Sequence, residues 1–133
     1  MDVLKSSIKY RLQRLGLFVS LKYPHSANQV YKDKTLDPHS SHSWALKFIS
    51  NNSNPEETTL LDIGCGPGDF CANYTNLVKE STGLDINIPI VSKFTHFIQL
   101  DLDKHNINID IGEYDIVLML DIIEHLSSPE NFL

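Results

Sequence analysis

The sequence predicts an α/β domain, in which a parallel sheet alternates with helices and follows a helical extension. From Thr58 onward, short apolar runs alternate with segments of helical spacing, which is typical of βαβ units. Three glycines, at positions 64, 66 and 68, directly follow the first apolar run, as expected where a strand enters a ligand-binding loop. The chain of 133 residues, 41% of them apolar, has the size and composition of one globular domain.

The predicted helical extension covers residues 1–55. Over residues 3–21, apolar residues recur every three or four positions with basic residues between them, which predicts an amphipathic helix. Its basic face is either solvated, with the helix packed on the domain, or contacts a partner or a membrane surface. The stretch "SSHSWALKFIS" (40–50) predicts a second helix, with Ser40 or Ser41 as its N-cap and with Trp44, Phe48 and Ile49 on one face.

The predicted sheet belongs to residues 56–133. A helix is expected between the first two strands, because Phe70, Tyr74, Leu77 and Val78 recur at helical spacing. Right-handed crossovers and the position of the glycine loop predict the strand order 3-2-1-4. The predicted strands cover residues 58–63, 82–86, 96–100 and 114–120.

Charge and cysteine content restrict the class of partner. Residues 1–34 carry a net charge of +5 and residues 35–133 a net charge of −11, so the main body has no basic face for nucleic acid. The acidic main body therefore favours a small-molecule partner over nucleic acid. The two cysteines lie six positions apart and form no disulfide framework, and the longest early apolar run is seven residues, too short to span a bilayer. These features predict a cytoplasmic protein with reduced thiols and without a transmembrane segment.

The spacing of the glycines narrows the choice of ligand. Glycine permits a tight turn with positive φ and lets backbone N–H groups approach a ligand closely. The dinucleotide fingerprint G-x-G-x-x-G requires a glycine at position 69, where this chain has aspartate. The pattern is instead D-x-G-x-G-x-G, with Asp62 in the leading position.

Four motifs in register resemble those of class I S-adenosylmethionine-dependent methyltransferases. The run "LLDIGCGPGDF" (60–70) is similar to the first motif of that family. Asp85 in "TGLDIN" and Asp101 in "FIQLDLD" follow at the ends of the second and third predicted strands. "YDIVLMLDIIEHL" (114–126) is similar to the fourth strand of small-molecule methyltransferases that carry a Glu-His pair. The resemblance implies their Rossmann-like fold and S-adenosylmethionine as the cofactor.

The resemblance also implies a set of cofactor-binding residues. Carboxylates at strand ends and backbone dipoles suit a sulfonium with a zwitterionic methionine end. Asp62 and Asp121 would meet the methionine ammonium group, Asp85 the ribose hydroxyls, and Asp101 the adenine amine. The full predicted set is Asp62, Gly64, Cys65, Gly66, Gly68, Asp85, Ile86, Asp101, Leu102 and Asp121, with no metal. Cys65 is interpreted as a small packing residue of the loop and not as a nucleophile.

The catalytic base is left open by the sequence. A base is required only if the acceptor must lose a proton. Glu124 and His125, after the fourth strand, are candidates, as are His39 and His42 before the first strand. A packing or orienting role is the alternative for His125, and the H-x-x-H spacing of His39 and His42 is a weak metal signal without further ligands.

The predicted function is methyl transfer from S-adenosylmethionine to a small-molecule or sugar-like acceptor. The alternatives are a non-catalytic S-adenosylmethionine-binding subunit and an NAD-dependent oxidoreductase, which the glycine spacing disfavours. Members of the family continue through a fifth, sixth and seventh strand, so the chain is expected to be an inactive half domain from a longer enzyme. Such a half domain would leave the apolar strand "IVLML" (116–120) unpaired at the sheet edge.

Overall fold

The computed structural model describes residues 33–89, 93–104 and 110–131, together with the backbone of residues 17–20. Within these residues, five parallel strands form one sheet in the order β1-β5-β2-β3-β4. The four strands predicted from the sequence are β2 to β5, and their predicted order is confirmed. The strands are β1 (Leu17–Ser20), β2 (Thr59–Ile63), β3 (Glu80–Asp85), β4 (His96–Gln99) and β5 (Ile116–Leu120).

Strand β1 corrects two expectations. The helix predicted over residues 3–21 is wrong at residues 17–20, which are extended and pair with β5 from Leu17–Val117 to Ser20–Leu120. The rest of that prediction lies outside the described residues. Strand β5 is therefore paired on both sides, and the expected open apolar edge is absent there because β1 supplies a second ladder of backbone hydrogen bonds.

Helix α1 (Ser41–Asn52) confirms the second predicted helix and identifies its cap. The Ser40 hydroxyl accepts a hydrogen bond from the backbone N–H of Ser43 at 3.1 Å, so Ser40 is the N-cap. Ala45 and Ile49 form the fully buried stripe of the helix. The prediction that Trp44 lies on this face is wrong, since 60% of it is exposed, because the buried stripe follows the spacing 41, 45, 49.

The crossover from β2 to β3 differs from the predicted α-helix. It consists of two short 3₁₀ helices, Phe70–Asn73 and Thr75–Leu77, separated at Tyr74, whose backbone leaves helical geometry at φ −121° and ψ −12°. The glycine loop and the return to β3 use most of this short connection, which leaves too few residues for several α-helical turns. Phe70, Tyr74 and Val78 are nevertheless buried, as their spacing predicts.

The sheet carries an apolar core on each face. Alternate residues of β2 and β5 point to opposite sides. Leu60 and Leu118 pack with α1 and the 3₁₀ crossover, whereas Leu61 and Val117 pack with Leu84 and the segment after β5. Helix α1 thus shares a core with the sheet, although the predicted domain boundary at residue 55 follows it. Among the described residues no helix is long and apolar enough to cross a membrane.

Candidate cofactor site at the carboxyl ends of the strands

The glycine loop turns sharply at the end of β2. Gly64, Gly66 and Gly68 have φ values of 72°, 61° and 89°, a region that side chains with a Cβ rarely adopt. The backbone N–H groups of Gly64 and Cys65 both donate to the carbonyl of Leu84, at 2.7 and 3.2 Å. These bonds fix the loop over the end of β3.

Asp85 joins three strand ends. Its Oδ2 accepts a hydrogen bond from the backbone N–H of Gly66 at 2.8 Å, and its Oδ1 accepts one from Asn87 N–H at 2.9 Å. Its carbonyl accepts a bond from the N–H of Leu100, at the end of β4, at 2.9 Å. The structure therefore brings the glycine loop, Asp85 and the end of β4 to one edge of the sheet. The next residue, Ile86, is 52% exposed beside this carboxylate.

Asp62 lies beneath the loop and is almost fully buried, with 3% of its surface exposed. The hydroxyl of Tyr74 donates to Asp62 Oδ2 at 2.7 Å. Burial raises the pKa of Asp62 to about 7, against the lowering effect of the Tyr74 hydrogen bond and with a smaller raising effect from the charge of Asp85. Asp62 thus changes charge near neutral pH.

Asp101 and Leu102 follow β4. Asp101 Oδ2 forms an ion pair with Lys104 at 2.9 Å, and Oδ1 accepts a hydrogen bond from Asp103 N–H at 3.1 Å. Leu102 packs against the apolar core on the face of the sheet that carries Leu61 and Val117. Asp103 in turn accepts a bond from the N–H of Ser127 at 2.7 Å, which ties the loop after β4 to the segment after β5.

Asp121, the first residue after β5, has φ 54°, the only positive φ outside glycine among the described residues. Strained backbone of this kind concentrates at functional sites. Its Oδ2 accepts hydrogen bonds from Lys34 Nζ and Ser41 Oγ, each at 3.0 Å. The following residue, Ile122, packs against Gly64. A Cβ built on Gly64 would lie 2.6 Å from the Ile122 side chain. Asp121 is therefore next to the glycine loop.

His42 is held by its neighbours on three sides. Its Nδ1 accepts a hydrogen bond from the backbone N–H of Lys34 at 2.9 Å, and Asp33 Oδ1 lies 3.4 Å away. Its ring stacks on Phe70 with a centroid distance of 4.4 Å. Burial lowers the pKa of His42, partly opposed by Asp33. Asn73, just beyond the glycine loop, donates to Asp33 Oδ2 at 2.6 Å.

The other candidate residues have distinct environments. Glu124 Oε2 is buried and has no hydrogen-bond partner among the described residues, and burial raises the pKa of this carboxyl group. His125 and His39 are exposed. Burial raises the pKa of the Cys65 thiol far above its usual range, with a further contribution from Asp62, which favours the neutral thiol.

Several residues of this region were not predicted from the sequence. Lys34 and Asp33 lie in a stretch without periodicity, and Tyr74 carries the helical spacing of an ordinary core residue. Lys34 is 87 positions from Asp121, so no local signal connects them. The only clue is that Tyr74 is an aromatic residue with a polar end, which requires a partner when it is buried.

The fold and this edge of the sheet define the class of protein. Residues 39–133 match a family model described as a methyltransferase domain. The chain belongs to that family, and its motifs and strand order are those of the class I S-adenosylmethionine-dependent methyltransferases.

Three relatives of the chain have the same name. The chain is 34% identical over 87 residues to a ubiquinone biosynthesis O-methyltransferase of Maricaulis maris, covering 59% of this chain and 34% of the relative. It is 33% identical over 100 residues to the protein of the same name from Cereibacter sphaeroides, covering 67% and 40%. It is 27% identical over 93 residues to that of Nitrosococcus oceani, covering 63% and 39%. The chain thus spans less than half the length of these relatives. No solved structure matches it significantly.

Proposed function

We propose that the protein transfers a methyl group from S-adenosylmethionine to a hydroxyl group of a small-molecule acceptor. The observation that carries the proposal is the hydrogen bond from Gly66 N–H to Asp85 Oδ2, because it joins the glycine loop to the carboxylate that we propose binds the ribose. Membership of the methyltransferase family supports the cofactor, and the O-methyltransferase names of the relatives support a hydroxyl acceptor.

The residues present fit this cofactor. A sulfonium with a zwitterionic amino-acid end requires carboxylates and backbone donors, and residues 62–70 contain no lysine or arginine that would cradle a phosphate. A Cβ built on Gly66 would meet nothing within 4 Å, so the loop has open space on that side. The carboxylates at the strand ends and the open space beside Gly66 therefore support this cofactor.

Each strand end has a proposed binding role. Asp85 is held by two backbone N–H groups, one on each oxygen, and each oxygen keeps a second lone pair for a ribose hydroxyl. Asp101 and Leu102 would contact the adenine, with exposed Ile86 as an apolar wall. Asp121 would accept the methionine ammonium group. Asp62, which is more deeply buried, would add negative charge below it.

The chemistry asks little of the protein beyond alignment and one proton transfer. When bound, the cofactor supplies a methyl group on a positively charged sulfur leaving group. The strand ends orient the reactants and exclude water, which can contribute ~7–11 kcal/mol in well-aligned reactions. Glu124 is the proposed base for the acceptor hydroxyl, since its raised pKa brings it closer to neutrality. His125 is the second candidate, whereas Nδ1 of His42 already accepts a backbone hydrogen bond.

Calorimetry with S-adenosylhomocysteine and with NAD tests the cofactor assignment. We expect the full-length protein to bind S-adenosylhomocysteine and not NAD. Asp69→Ala is the matched control for substitutions of Asp85. Asp69 is an exposed carboxylate at the end of the glycine loop, and its side chain makes no capping hydrogen bond. Binding of NAD alone would contradict the proposal.

Turnover tests the reaction. We expect methylation of at least one member of a panel of hydroxylated acceptors, with Glu124→Gln lowering turnover while leaving affinity for S-adenosylhomocysteine unchanged. Glu130→Gln, at an exposed glutamate six residues further on, is the control. Binding without turnover over a broad panel would favour a non-catalytic subunit.

A further inference from the structure

We propose that Lys34 is the counter-ion of Asp121 in the cofactor-free protein and that the ammonium group of the cofactor displaces it. The inference rests on the proposed function, because it requires Asp121 to receive that ammonium group. It assigns to residues outside the glycine loop a direct influence on cofactor affinity.

The contacts of Asp121 show which group the cofactor ammonium would have to displace. Lys34 Nζ is 3.0 Å from Asp121 Oδ2, and this carboxylate side chain is only 14% exposed. Ser41 Oγ donates to the same oxygen at 3.0 Å. A lysine ammonium and an amino-acid ammonium offer the same three donors and the same charge. Both groups therefore compete for one carboxylate.

The surrounding charges explain why a counter-ion is needed. Glu124 lies three residues beyond Asp121, and the charge of Asp121 adds to burial in raising the pKa of the Glu124 carboxyl group. A partly buried carboxylate beside another acid is costly without a cation nearby. The ion pair with Lys34 reduces this cost. A bound ammonium group would take over the same role, and Lys34, whose side chain is 35% exposed, can turn toward water.

The backbone of Lys34 is fixed independently of this ion pair. Its N–H donates to His42 Nδ1 at 2.9 Å, and its carbonyl accepts bonds from Ser40 Oγ at 2.6 Å and Asp37 N–H at 3.0 Å. Displacement therefore requires only that the side chain moves. The affinity observed for the cofactor is the intrinsic affinity multiplied by the fraction of molecules in which Lys34 does not occupy Asp121.

Titrations of the full-length Lys34→Met variant test the inference with two ligands. S-adenosylhomocysteine carries the ammonium group, and 5′-methylthioadenosine lacks the whole amino-acid end. We expect Lys34→Met to raise affinity for S-adenosylhomocysteine by about three- to tenfold and to leave affinity for 5′-methylthioadenosine unchanged. Lys47→Met is the control, because it removes the same charge from an exposed position of α1.

If Lys34 has only a structural role, Lys34→Met should change the affinities for both ligands alike. That result would overturn the inference. Lower affinity of Lys34→Met for S-adenosylhomocysteine would also overturn it, because Lys34 would then be a ligand of the cofactor. Wild-type protein that binds neither ligand would instead refute the proposed function, and this inference with it.

Discussion

The two ends of the proposed site are built in different ways. At the β2–β3 end, backbone hydrogen bonds to the Leu84 carbonyl hold the glycine loop, and the backbone N–H of Gly66 holds the Asp85 carboxylate. At the β5 end, Asp121 is held by the side chains of Lys34 and Ser41, which come from residues before the sheet. The first end is determined by backbone conformation, the second by side-chain contacts between distant parts of the chain.

This difference predicts different responses to substitution. A backbone with positive φ has almost no tolerance for a Cβ in a crowded place, so the glycine loop is a rigid element. Partly exposed polar contacts contribute less each, and their loss leaves the fold intact. We therefore expect large effects on folding and cofactor affinity at the β2–β3 end and graded effects at the β5 end.

The largest expected effect is that of Gly64→Ala. Besides the φ of 72°, the new Cβ would lie 2.6 to 2.8 Å from three atoms of the Ile122 side chain, including its Cβ. We expect a loss of about 2–5 kcal/mol in the free energy of unfolding, measured by denaturant titration.

Gly66→Ala is the matched control for that variant. Gly66 has a similar φ of 61° but open space where its Cβ would lie. Only the backbone cost of about 1–2 kcal/mol should appear in its free energy of unfolding. Equal losses in the two variants would contradict the role given to Ile122.

Asp85→Ala should weaken affinity for S-adenosylhomocysteine by ~1.5–3 kcal/mol, the scale for losing hydrogen bonds to a charged group. Asp85→Asn should do less harm, since its amide oxygen still accepts one bond. Calorimetry measures both, with Asp69→Ala as the control. Unchanged affinity in Asp85→Ala would remove the ribose assignment.

Asp62→Asn should stabilise the protein in a pH-dependent way. The pKa of Asp62 is about 7 when folded, so the unfolded chain releases the proton of Asp62 at a lower pH than the folded one. Wild-type stability is therefore highest with respect to this group near pH 4 or below, falls as pH rises toward 7, and levels off above it. The stability gain of Asp62→Asn should be largest above pH 7, roughly 1–3 kcal/mol, and vanish near pH 4.

Thermal unfolding across this pH range measures the effect. Tyr74→Phe is the informative companion, because it removes the hydrogen bond that lowers the pKa of Asp62. Its pH-dependent loss of stability should extend to higher pH than that of the wild type. A stability gain in Asp62→Asn that does not vary with pH would contradict the buried titration.

The smallest expected effect is that of Asn73→Ala. It removes the 2.6 Å hydrogen bond to Asp33, which is exposed, and should cost about 0.5–1 kcal/mol in the free energy of unfolding. Asn76→Ala, at an exposed asparagine without a hydrogen bond to the described residues, is the control. If Asn73→Ala lowered the free energy of unfolding as much as Gly64→Ala, the hydrogen bond from Asn73 to Asp33 would be as critical for stability as the glycine loop.

The sequence by itself determined the sheet and the β2–β3 end of the site. Apolar runs separated by short crossovers are read locally, and so are three glycines after a strand. Because the carboxyl ends of parallel strands meet at one edge, the sequence placed Asp85 beside the loop, where it contacts Gly66. These features depend on neighbours in sequence or on the regular geometry of a sheet.

Only the tertiary structure decided the rest. Residues 17–20 have the apolar spacing of a helix, but pairing with β5 satisfies their backbone as a strand. Tyr74 has core spacing, yet its hydroxyl bonds to buried Asp62. Lys34 and Asp121 meet across 87 positions, and no local propensity encodes such a contact. Long-range pairing and burial, which act only in the folded chain, determined these features.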